Sequence, residues 1–148
     1  MNLSKVLSPQ VMFPAITAEN KTEAIRTMVG HLADSRGITE VEPLVRAVLE
    51  REQKDSTGLE HGVAVPHGKT DAVTDLIAGV ATVRPPVDFS SRDGAPTEIL
   101  VMTISPLHRS GPHLQFIGEV VRLLRDQDLR AALLAAGTPE EMLKAVLS

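Results

Sequence analysis

Two stretches of this chain have little freedom in what they can become. Residues 76–83 read LIAGVATV and residues 98–104 read EILVMTI, with Glu98 the only charge in either. Apolar, β-branched runs of this length, bounded by turn-forming segments, are the pattern of strands covered on both faces. Such strands need a layer on each side of their sheet, and the other apolar patterns in the chain are mostly helical.

NKTEAIRTMVGHLADSRG (20–37) has Asn20 to cap a helix and Glu23 three residues on. Ile25, Met28, Val29 and Leu32 form its stripe, and Gly37 supplies a stop. VEPLVRAVLEREQ (41–53) gathers Val41, Leu44, Val45, Val48 and Leu49 on one face of a second helix. A short strand follows at 62–65, and the segment 84–96, RPPVDFSSRDGAP, is dense enough in turn formers to read as a loop. Three helices close the chain: 113–126, with Phe116, Ile117, Val120, Val121 and Leu124 at helical spacing, then 128–137, then 138–147, capped by Thr138 with Pro139 in the first turn. The order predicts an α/β fold, one mixed β-sheet flanked by helices on both faces, in a single domain over residues 1–148.

Composition narrows the function. With no Cys there is no disulfide framework, thiolate metal site or cysteine nucleophile. A net charge of −4 and the absence of Trp and Tyr argue against a nucleic-acid partner. The opening MNLSKVLSPQVMFPA is an apolar stretch cut by Pro9 and Pro14, a poor signal peptide, and no later segment is long enough for membrane insertion. A cytoplasmic location is the expectation.

The chemistry centres on GVAVPHGKT (62–70). His67 follows a short strand, so its ring is expected to project from the end of the sheet, where ligands bind in sheets flanked by helices. Pro66 fixes one dihedral, and Gly68 permits an otherwise strained one that lets the backbone approach a ligand. A turn histidine bonded only to its neighbours is the plainer account of the same spacing. His113 opens the long helix on its buried line, at a helix N-terminus suited to phosphate, although alone it reads as a packed histidine satisfied by backbone. Arg51 continues the Leu44, Val48 line, either as a complement to the helix end or as a bidentate anion clamp. His31 and His108 read as a surface and a loop histidine. Two histidines and an arginine, with no paired carboxylates, no nucleophile elbow and no HExxH, point to phosphate chemistry, in which a neutral imidazole is the nucleophile.

The segment REQKDSTGLEHGVAVPHGKT (51–70) resembles the signature of the fructose/mannitol-type enzyme IIA domains of the bacterial phosphotransferase system, a family that includes stand-alone nitrogen-regulatory proteins. The shared pattern is an Arg-Glu pair, Ser-Thr-Gly, a small-residue turn, then apolar-Ala-apolar-Pro-His-Gly. The likeness extends to LSKVLSP, PPVDF and the long C-terminal helical stretch from His113. It implies a phosphotransferase component that works through phosphohistidine and without a cofactor. The donor would be an HPr-type phosphocarrier protein, and the acceptor a IIB domain cysteine or a regulatory target protein. A regulatory binding module with no role in sugar transport is the alternative. By the resemblance, His67 is the phosphoryl acceptor through its tele nitrogen, His113 stabilises the phosphoryl group and Arg51 clamps it. Gly68, Thr57 and His61 become the substrate-binding positions. One departure stands out: the turn usually built of small or amide residues reads Glu60-His61, which brings a third imidazole and a carboxylate toward the site. A metal site on His61, His67 and His113 is a weaker third reading, since no carboxylate or thiolate is well placed to join it. With no IIB or membrane segment and no Cys in the chain, the expectation is either a separate acceptor or none, the latter fitting the regulatory alternative.

Overall fold

The computed structural model describes residues 2–148, the side chain of Ser110 apart. Two 3-10 turns (Leu3–Lys5, Pro9–Val11) lead into β1 (Met12–Ile16), followed by α1 (Lys21–Ser35) and α2 (Glu42–Lys54). Then come β2 (Val63–Ala64), β3 (His67–Lys69), β4 (Ile77–Val87), β5 (Thr97–Ser105), α3 (Ser110–Leu123), α4 (Gln127–Ala135) and α5 (Pro139–Leu147). The sheet order is β1-β4-β5-β2, with β3 also on β5. β4 and β5 are antiparallel, whereas β1 runs parallel to β4, and β2 and β3 run parallel to β5. The sheet is therefore mixed, as expected.

Both predicted central strands are buried at every position from Ile77 to Val83 and from Ile99 to Ser105, so both faces are covered. Register shows by what. Gly79 pairs with Met102, and a Cβ on Gly79 would meet Leu32 of α1 at 3.3 Å. Ala78 pairs with Thr103, which points the other way and bonds His113 of α3. Helices thus lie on opposite faces. The Asn20 and Thr138 side chains cap α1 and α5 by accepting the N–H of Glu23 and Glu141, as their spacing predicts.

Three elements differ from the sequence reading. The prolines of MNLSKVLSPQVMFPA hid β1: Pro14 lies inside it, tolerable because β1 is an edge strand whose register shifts between Phe13 and Ile16. β4 runs on through Pro85 and Pro86 into the segment expected to be loop. Its pairing with β5 skips from Thr82 to Val87, so the two residues without N–H groups sit where no ladder bond is needed. α3 starts at Ser110, which puts His113 inside the helix instead of at its opening. No helix among the described residues is long and apolar enough to cross a membrane.

Candidate functional site

Pro66 breaks the β2 edge, and the chain rejoins β5 at once as β3, with His67 opposite Thr103, Gly68 opposite Ile104 and Lys69 opposite Ser105. His67 therefore sits within the sheet edge and not beyond it. Its ring shares the Thr103 face with α3, and Gly68 turns to the face of α2. A Cβ on Gly68 would come within 2.9 Å of the Ala47 carbonyl carbon and the Val48 nitrogen. The residue is glycine so that α2 can lie against β3. The expected strained dihedral is absent, because the positive-φ glycines among the described residues are Gly37, Gly62 and Gly94.

The two histidines meet. Their ring centroids are 5.0 Å apart with the planes tilted by 59°. His67 Nδ1 lies 2.9 Å from the Val65 carbonyl oxygen. A carbonyl can only accept, so Nδ1 carries the proton and donates, leaving Nε2 with a free lone pair. Burial lowers the His67 pKa from 6.5; the Val65 carbonyl works against that shift, and the Arg51 charge adds to it. His113 is buried, and its Nδ1 lies 2.7 Å from the Thr103 hydroxyl. Burial, then the charges of His67 and Lys69, lower its pKa to about 4. Two neutral imidazoles are thus held side by side at neutral pH.

A hollow of about 520 Å³ opens beside His67. Arg46, Arg51, Lys54 and Lys69 line it, with Glu50 as a lone carboxylate. The α2 residues among these recur at helical spacing, forming a cationic stripe beside the buried one. Arg51 Nη1 donates to the Asp55 carbonyl at 2.8 Å, closing the helix end, while its guanidinium faces the hollow. The buried line of α2, however, does not end in Arg51. It runs Leu44, Val45, Val48, Glu52, and the carboxylate of Glu52 is the charge inside. Glu52 accepts the Thr57 N–H at 2.9 Å and the Thr57 hydroxyl, and it pairs with Lys21 Nζ at 3.0 Å. Thr57 is consequently committed to Glu52 and is not among the residues lining the hollow.

The structure does not bring His61 to this hollow. Along β5 the pairing moves from Val63↔Ile99 to His67↔Thr103, four residues or about 13 Å of strand, and His61 lies further back still. It is exposed, with Nε2 3.8 Å from Glu60, and it lines a different depression with Arg92 and Arg125. The departure at Glu60-His61 therefore does not touch the His67 pocket, and the three-histidine metal arrangement is not assembled. His31 stacks on Phe13 with ring centroids 5.4 Å apart, and His108 is exposed in a turn.

Sequence reasoning missed Arg46, Lys54, Lys69, Thr103 and the role of Glu52. Lys69 was within reach, because two residues along a strand returns to the same face as His67. Thr103 could not be found without the β3–β5 register.

Residues 5–148 match the family model for the phosphoenolpyruvate-dependent sugar phosphotransferase system, EIIA 2. The chain belongs to this family. Among curated relatives of this EIIA chain, the nitrogen regulatory protein of Bradyrhizobium diazoefficiens is 29% identical, covering 92% of this chain and 88% of that one. The fructose-specific EIIA component of Haloferax volcanii is 32% identical over 78% of this chain and 75% of its own. In structure, the enzyme IIA for mannitol of Escherichia coli, solved in complex with phosphorylated enzyme IIB, superposes with a TM-score of 0.80 at 24% identity. That match covers 95% of this chain and 96% of the other and shows the shared fold. As an EIIA, the chain is a phosphotransfer component with a phosphocarrier or regulatory role.

Proposed function

We propose that residues 1–148 form one EIIA domain that carries phosphate on Nε2 of His67. The observation that carries this reading is the His67 ring itself: Nδ1–H is tied to the Val65 carbonyl, so the one free lone pair is on Nε2, beside a buried neutral imidazole. In the transfer, the Nε2 lone pair attacks phosphorus of a phosphohistidine on an HPr-type carrier. The donor's N–P bond breaks, and its electron pair returns to the donor ring. The proton stays on Nδ1, hydrogen-bonded to the Val65 carbonyl, which suits the charge that His67 acquires. With the Thr103 hydroxyl donating to Nδ1 of His113, the proton of that ring lies on Nε2 and donates to a phosphoryl oxygen. Arg51 has guanidinium donors beyond the one used on Asp55, and these, with the Lys69 ammonium, supply further stabilisation. No step calls for a cofactor.

The phosphate then passes to a IIB cysteine, or its presence on His67 changes the grip on a regulatory target. The mannitol complex with IIB supports the first course and the nitrogen regulatory relative the second. A cytoplasmic location follows from such partners. The test is reconstitution with phosphoenolpyruvate, enzyme I and an HPr-type carrier, followed by intact mass and 31P–15N spectroscopy. One acid-labile, base-stable phosphate bonded to Nε2 of His67, and none in His67→Ala, is expected. Phosphate on Nδ1 or on another residue overturns the assignment.

A further inference from the structure

At the end of the sheet remote from His67, the turn after Leu59, the loop after β4 and the end of α3 surround a hollow of about 390 Å³. Small-molecule sites fall in the range of about 300–1,000 Å³. The floor is aliphatic, made by Leu59, Val121 and Leu124. The rim carries two guanidiniums, Arg92 and Arg125, with His61 and Glu60 beside them.

The guanidiniums are unneutralised. Among the described residues neither forms an ion pair, although the chain as a whole is acidic. Asp93, next to Arg92 in sequence, is occupied otherwise: its two oxygens accept the N–H groups of His61 and Ala95, each at 3.0 Å. Glu60 leans on His61 instead. The turn that carries His61 is also held in place. His61 and Gly62 both take left-handed φ values, +63° and +75°, and the Gly62 carbonyl accepts from Glu98 and Ile99 at 2.8 and 3.0 Å. Free cations above a pre-formed aliphatic floor complement one kind of guest, an anion with an apolar body.

We propose that this hollow binds a small organic oxyanion, a carboxylate or phosphate ester whose apolar body lies on Leu59, Val121 and Leu124 while Arg92 and Arg125 hold its charged end. The site is independent of phosphate transfer at His67. Its occupant touches β2, which leads into His67, and α3, which holds His113.

The test is titration of the full 15N-labelled chain with phenyl phosphate, followed by amide shifts. Inorganic phosphate serves as the control without a body and benzyl alcohol as the control without a charge. Saturable shifts confined to residues 59–63, 91–93 and 121–125 are expected, with affinity at least about tenfold lower for each control and for R92Q and R125Q. Phenylacetate in place of phenyl phosphate shows whether a carboxylate or a phosphate is preferred, and either preference supports the site. Shifts only around residues 67–69 and α2 would mean that the anion prefers the His67 hollow. Equal binding of benzyl alcohol would mean apolar adsorption alone. Either result, a lack of saturation, or unchanged affinity in both arginine variants overturns the proposal.

Discussion

Removing the proton site of His113 should flatten the dependence of stability on pH in a defined window. The folded protein holds the His113 pKa at about 4, against 6.5 for a free imidazole, and the leading cause is burial. Between these values the unfolded chain binds the proton and the folded one does not. Stability attributable to this group is therefore lost as pH falls through 6.5 toward 4. From pH 7 to pH 5 the linkage amounts to about 2 kcal/mol. His113→Gln keeps a partner for the Thr103 hydroxyl and a similar volume but cannot titrate. The variant is expected to be less stable at pH 7, yet between pH 7 and 5 it should lose about 2 kcal/mol less than the parent. In urea that difference moves the midpoint by about 1 M. His67 is also shifted downward, but it is present in both proteins and cancels to first order. Urea unfolding at pH 7, 6 and 5, with the slope checked for constancy, measures the effect. Parallel pH profiles would show that His113 protonates freely in the folded state, and the neutral-donor role given to it would fall with them.

Arg51→Gln should slow transfer from the phosphorylated carrier on the order of 100-fold, with Arg51→Lys recovering only part, because the planar fork is what engages two oxygens. Loss of the Asp55 bond alone would instead lower stability by about 0.3–1 kcal/mol and leave quench-flow rates unchanged. Gly68→Ala has no room between β3 and α2, where backbone atoms stand 2.9 Å from the new Cβ, so about 1–3 kcal/mol of stability should be lost in thermal or urea unfolding. Lys69→Met removes a charge that depresses both site histidines, so both pKa values should rise in a 1H NMR titration of the ring protons; a fall in either would contradict the electrostatics described.

Much of the site was legible because its residues fall at local spacings. His67 lies next to Pro66, and Arg51 continues the helical spacing of Leu44 and Val48 within one segment. What the sequence hid was set by distance across the sheet. Thr103 enters the site because β3 and β5 run parallel in the register that sets it opposite His67, where it also bonds His113 of α3. Gly68 suggested backbone freedom, yet its missing side chain makes room for a helix that comes earlier in the chain. On α2, Arg51 and Glu52 both lie near the apolar line, and periodicity could not decide which one turns inward. The deciding contacts are Thr57 and Lys21, which give the carboxylate three polar partners inside the protein, whereas the guanidinium keeps its unused donors toward the hollow. His61 shows the same limit from the other side. Six residues of separation read as proximity to His67, but extended chain carries those residues the length of β5, and the imidazole finishes among arginines at the far end. Proximity in sequence implies proximity in space within a helix turn or a tight loop; along a strand it implies the opposite.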